Sequence, residues 1–176
     1  NVYERDCADT EEIVLDFTGD VNLAEGWSTT KYMDQQENGI YDCLSANLVM
    51  ELQGADILMV NNEYAYSDRG YPLPGKTYTF RAMPTRVQVL QQIGTDVVSL
   101  ANNHVYDYGE DALLDTLETL ENVGIPYVGA GRNLKEAEKI VYFIANGRKI
   151  AIVAATQIER FESFTKEAEE NTPGVL

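Results

Sequence analysis

Short apolar runs alternate along this chain with stretches whose apolar residues recur every three or four positions, and that alternation restricts the fold more than any other feature. Residues 13–17 are apolar but for Asp16 and are broken by Thr18-Gly19-Asp20, which predicts a buried strand ending in a polar turn. Ile40, Leu44, Leu48 and Leu52 share one helix face between Gly39 and Gly54, and 56–60 is the next strand. Pro84 suits the first turn of a helix carrying Val87, Leu90 and Ile93, and 96–100 follows as a third strand. Another helix is predicted over 109–123, with Leu113, Leu117 and Leu120 inward and Asp111, Asp115 and Glu118 solvated. Residues 125–130 read as a strand, 134–139 as a short helix, and 140–145 and 149–155 as strands around Asn146-Gly147, a strong hairpin signal.

Helices between uniformly apolar strands predict an α/β protein: a mainly parallel sheet covered on both faces by helices and closed by an antiparallel C-terminal β-hairpin. Residues 61–78 follow neither period and hold Tyr64, Tyr66, Tyr71 and Tyr78 among Gly70, Pro72, Pro74 and Gly75. A loop of that length is either functional or packed by its own aromatics. The polar stretch 1–12 is expected to lie ahead of a domain spanning 13–176. The charged tail, 159–176, offers no closing element, so the fold is expected to be truncated at its C-terminus.

With 176 residues and 44% apolar content, the chain suits one folding unit and excludes disorder. Thirteen Lys and Arg against 29 Asp and Glu give a net charge of −16, which repels phosphate backbones and excludes nucleic acid as a partner. No run reaches the roughly 18 apolar residues of a membrane span. The chain opens on Asn1 without an initiator Met, and the expectation is that a leader or anchor precedes it. Cys7 and Cys43 fit no zinc spacing and leave a disulfide and free thiols equally open.

Ligands of an open parallel sheet bind at the carboxyl ends of its strands. There the sequence places Asp20-Val21-Asn22, Asn61-Asn62-Glu63 and Asn102-Asn103-His104, the last containing the sole histidine. Oxygen donors with one imidazole suit a divalent metal such as Mn, Mg, Fe or Zn, and His104 suits proton delivery to a leaving group. Ser99 lacks a nucleophile elbow, and Gly129-Ala130-Gly131 is a weak dinucleotide signal. Arg69, Lys76, Arg81 and Arg86 either face an anion or balance nearby acids.

At these residues the chain resembles the bacterial capsule synthesis protein family, the poly-γ-glutamate synthesis group within the calcineurin-like metallophosphatase superfamily. The likeness rests on residues 17–23 around Gly19-Asp20, 55–63 ending in Asn62-Glu63, Tyr78-Thr79-Phe80-Arg81, Ala101-Asn102-Asn103-His104 with Asp107-Tyr108-Gly109, and 129–133. It implies a two-sheet sandwich and a site with Asp20, Asn22, Glu63 and Asn103 on metal. Asp20 and His104 would be catalytic, and Asn62, Asn102 and Arg81 would touch substrate. Asn22 stands where the superfamily carries histidine, and the family's further histidine motifs have no counterpart after His104. The implied role is surface-located capsule or poly-γ-glutamate biosynthesis, export or anchoring, extracellular, with membrane attachment through an anchor absent from this chain. An anionic polymer such as poly-γ-glutamate would be the partner. The site would be either a phosphoesterase-like hydrolase centre or a non-catalytic polymer-binding scaffold.

Overall fold

A computed structural model describes residues 2–9, 11–157 and 164–176. In chain order its elements are β1 (Val2–Arg5), β2 (Leu15–Val21), α1 (Ser28–Asp34), α2 (Ala46–Gly54), β3 (Ile57–Asn62), β4 (Ala65–Tyr66), β5 (Arg81–Ala82), α3 (Val87–Gln92) and β6 (Val97–Ser99). There follow α4 (Glu110–Asn122), β7 (Tyr127–Val128), β8 (Ala130–Gly131), α5 (Leu134–Ala137), β9 (Val141–Ala145), β10 (Arg148–Ile152) and β11 (Gly174–Val175).

The apolar runs pair as β2-β3-β6-β7, with every neighbouring pair parallel. Successive side chains alternate between the faces of this sheet. Leu58, Val60, Val98 and Leu100 pack with the helix residues Leu52, Leu90, Leu113, Leu117 and Leu120. Ile57, Val97 and Val128 pack with Val141, Phe143 and Ile152 of a second sheet, ordered β1-β9-β10. Burial on both faces is why the strand sequences are apolar throughout. The architecture is the α/β class that the sequence predicts, but a second sheet covers the face where periodicity predicts helices, which is the sandwich that the resemblance implies.

Several local expectations are corrected. The hairpin β9–β10 forms, but in the second sheet rather than at the end of the parallel one. β1, within the stretch expected to precede the domain, pairs in parallel with β9; Tyr3 lies 5.6 Å from Phe143, ring to ring, and Arg5 is 2.6 Å from Asp96. The helix predicted from Ile40 to Leu52 divides into a 3₁₀ turn, Gly39–Asp42, and α2, because Ser45 caps α2 by accepting the Leu48 N–H at 3.2 Å. Residues 159–163 of the tail lie outside the described residues. β11 closes the remainder by pairing with β8, and the Leu176 N–H donates to the Gly129 carbonyl at 2.9 Å.

The strand predicted over 125–130 divides at Gly129, whose φ of +82° leaves no room for a Cβ beside Ala101, while Gly131 abuts the backbone of α5. This Gly-x-Gly serves close packing. The aromatic loop is half core and half surface: Tyr64 and Tyr66 are fully buried with hydroxyls 2.6 Å apart, whereas Tyr71 and Tyr78 are exposed. Cys7 and Cys43 are free thiols. Among the described residues no helix is long and apolar enough to cross a membrane.

Candidate functional site

Parallel strands deliver their carboxyl ends to one rim, and β2 arrives there with one residue too many. Phe17 pairs with Met59 but Asp20 pairs with Asn61, so three steps on β2 match two on β3. Without this bulge Asp20 would point toward the helices beside Asn62; with it, Asp20 joins Asn61 on the opposite face. The Asn61 amide donates to Asp20 Oδ1 at 2.7 Å. Asn22 is fastened by its own turn, accepting the Ala24 N–H at 2.9 Å and donating to the Glu63 carbonyl at 3.4 Å.

Glu63 follows Asn61 on the same face and meets Asp20. Burial first, then the hydrogen bond and charge of Asp20, push the Glu63 carboxyl up to about 7. Hydrogen bonds from Glu63 and Asn61 hold Asp20 below its ordinary range. The charge of His104 acts on both carboxyls, favouring their ionised forms, so the imidazole lies within electrostatic reach of the pair. Asp20 and Glu63 thus meet, with His104 within their electrostatic reach, although about forty residues separate each from the next.

The third strand end is held by Asn102, whose amide is wholly engaged. It donates to Asn61 Oδ1 at 3.1 Å and the Asn62 carbonyl at 3.0 Å, and accepts the N–H groups of His104 and Val105, both at 3.0 Å. His104 Nδ1 lies 2.7 Å from Asp107 Oδ2, which also accepts the Phe80 N–H at 2.6 Å. Asp107 is fully buried, and its other oxygen is 2.8 Å from Lys76 Nζ, which also donates to the Asn103 carbonyl. With Nδ1–H given to Asp107, Nε2 is the imidazole atom left for chemistry. Phe80 packs over the same imidazole at 4.3 Å between ring centroids.

Of the residues expected from sequence, Asp20, Asn22, Glu63 and His104 stand at this rim, and Asn103, next to His104, contributes its carbonyl to Lys76. Asn62 and Asn102, expected to touch substrate, are 0% and 4% exposed and serve the scaffold; Asn62 donates to the Tyr64 carbonyl at 2.8 Å. Arg81 Nη1 donates to the carbonyls of Arg69 and Gly70, and its guanidinium lies 4.2 Å from the Tyr108 ring centre. Arg69 pairs with Asp111 and Asp115, and Arg86 with Glu25 and Asp34. Among the described residues no group of three or more His, Cys, Asp or Glu side chains stands ready to enclose a metal.

Sequence reasoning missed the roles of three participants. Asn61 was legible from the two-residue period, since it shares a face with Glu63 and Asn62 does not. Asp107 stands three residues after His104, a spacing that lets one turn join carboxylate and imidazole. Lys76 stood among the basic residues expected either to face an anion or to balance nearby acids, and it balances Asp107; which acid it would meet across the aromatic loop carried no signal.

Comparison with known proteins agrees with the resemblance. The family model described as "Bacterial capsule synthesis protein PGA_cap" matches residues 14–175. The chain is 32% identical over 108 residues to the capsule biosynthesis protein CapA of Bacillus anthracis, covering 60% of this chain and 26% of that protein. It is 35% identical over 109 residues to the PGA biosynthesis protein CapA of Bacillus subtilis, covering 61% and 28%. A probable polyglutamine synthesis accessory protein of Mycobacterium tuberculosis is 31% identical over 111 residues, covering 63% and 29%. The matched stretch thus spans under a third of these relatives' length. With the family model covering nearly the whole chain, this protein belongs to the bacterial capsule synthesis protein family, PGA_cap.

Proposed function

We propose that this chain supplies the Asp20–Glu63–His104 part of a metal-dependent, phosphoesterase-like centre in a surface protein of capsule or poly-γ-glutamate biosynthesis, export or anchoring. The process is suggested by the names of the relatives. Extracellular location, membrane anchoring and an anionic polymer as partner belong to the same proposal. The observation that carries the chemistry is the carboxyl pair beside an imidazole whose Nδ1 is tied to a buried carboxylate.

The donor set fits a divalent cation. Two neighbouring carboxyls, one pushed up to about 7, cannot both ionise cheaply, and a cation between them removes that cost. Asp20 and Glu63 would hold it, with the amide oxygens of Asn22 and Asn103 as further donors. When bound, the cation supplies Lewis acidity at a phosphoryl or acyl oxygen. His104 would give its Nε2 proton to the leaving oxygen, while Asp107 fixes the ring through Nδ1. Lys76 and the Phe80 N–H hold Asp107 in place.

The test uses the protein from its complete gene, loaded with manganese, and compares metal content and phosphodiesterase turnover with Asp20→Ala and His104→Ala forms. Turnover should fall by about 10²–10⁴ in His104→Ala, and metal content should fall in Asp20→Ala. Equal turnover in all three rejects the enzyme. The rival, a non-catalytic polymer-binding scaffold, is favoured by the lack, among the described residues, of a three-member His, Cys, Asp or Glu group. It predicts that equality, together with loss of polymer binding on changing Arg81.

A further inference from the structure

From His104 a run of aromatic rings leads outward, beginning at the half-buried Phe80 and ending in rings that the proposed chemistry does not use. Phe80, packed on His104, meets Trp27 edge-on at 5.3 Å, and Trp27 lies 6.3 Å from Tyr78. Trp27 is 43% exposed and Tyr78 61%. Adjacent exposed rings of this size, continuous with a reactive imidazole, mark a binding surface.

The surrounding charges select what binds there. Arg69 and Arg86 are paired with carboxylates, Lys76 sits against Asp107, and Arg81 spends Nη1 on backbone carbonyls. An anionic group arriving at the rings would meet Asp20 and Glu63 on a chain of net charge −16. A compact cation is better served by rings that enclose it. Here the rings touch one another, Trp27 lying 5.3 Å from Phe80 and 6.3 Å from Tyr78 between centroids, so no space is left between them for a cation. An uncharged pyranose ring matches both halves of the surface. Its C–H face covers aromatic carbon, and its hydroxyls donate to carboxylates and amides such as those of Asp20, Glu63, Asn22 and Asn103.

We propose that Trp27, Tyr78 and Phe80 form a subsite for a neutral saccharide next to the Asp20–Glu63–His104 rim. The proposal rests on the reading of that rim as the reaction centre and adds a second ligand class to it. Trp27 lies in this wall of rings, and the part of the emission change that a Trp27→Phe form loses reports on it.

The protein from its complete gene is titrated with chitin tetrasaccharide, cellotetraose, a γ-linked glutamate oligomer and tetramethylammonium. The expected result is a saturable change in Trp27 emission with at least one of the two saccharides, insensitive to salt, and none with the charged probes. Tyr78→Ala should weaken that response about fivefold with an unchanged melting temperature. Tyr71→Ala, at an 88% exposed ring outside the wall, should leave it intact. Silence toward both saccharides, or a response only to the glutamate oligomer or the ammonium ion, overturns the subsite. Because binding is read without turnover, an inactive protein that still answers to saccharide rejects the enzyme alone, and an active one that stays silent rejects the subsite alone.

Discussion

Two acidic clusters at the same rim are settled in opposite ways. Asp107 is fully buried, yet its Oδ2 meets His104 and the Phe80 N–H, while its Oδ1, without a hydrogen bond, lies in ion-pair contact 2.8 Å from Lys76 Nζ. Asp20 and Glu63 are nearer solvent, yet they face each other, and the Glu63 carboxyl is pushed up to about 7. Burial alone therefore does not measure how comfortable a carboxylate is; the donors around it do. The first cluster holds a side chain in one orientation, and the second keeps an electrostatic debt that a divalent ion can discharge.

The most severe test of this contrast is Asp107→Ala. The change removes the buried carboxylate that pairs with Lys76 and receives His104 and the Phe80 N–H, and about 3–5 kcal/mol of stability should be lost in a guanidinium melt. A loss below about 1 kcal/mol would break the comparison. Next in size is manganese, which at a hundredfold excess over its dissociation constant should stabilise the folded protein by about 2.7 kcal/mol. Calorimetry should show the gain shrinking as pH drops well below 7, where Glu63 is protonated, and vanishing in Asp20→Ala.

Glu63→Gln sharpens the contrast from the other side. The folded carboxyl titrates near 7 and the unfolded one near 4.5, so as pH rises the unfolded chain releases its proton first. Stability accordingly falls between those values and levels off above them. The variant should remove that slope and melt about 2–4 °C higher than the parent at about pH 8 without metal, a gain discounted for the partial exposure of Glu63. The smallest effect belongs to Arg69→Ala. Its exposed pair with Asp111 and Asp115 should contribute less than about 1 kcal/mol, and a urea titration showing more would mean that partly exposed pairs here act like the Asp107 cluster.

Elements with a clear period were legible beforehand. α4 follows from Leu113, Leu117 and Leu120, and β3 and β6 follow from their apolar runs. Others carried too little apolar surface to register. α1 buries only Thr30 and Met33, and β1, with the sequence Val-Tyr-Glu-Arg, turns only Tyr3 and Arg5 inward and so shows no apolar period. β11 is two residues long and exists because β8 is there to receive it. At the rim, residue type pointed to Asp20, Glu63 and His104, since carboxylate, amide and imidazole recur after three strands. What residue type cannot convey is which of two neighbouring asparagines faces the site. Asn61 reaches Asp20 while Asn62 and Asn102 brace the backbone, a distinction set by strand pairing and turn geometry.

The surplus residue in β2 also makes the strand intolerant of a change in length where it tolerates a change in letter. Deleting one residue at Thr18 or Gly19 would leave Leu15 and Phe17 opposite their present neighbours but rotate Asp20 by half a turn into the hydrocarbon side of the sheet. The protein would keep its interior and lose the Asp20–Asn61 contact, so on the proposed function the spacing between the apolar run and Asp20 matters as much as the aspartate itself.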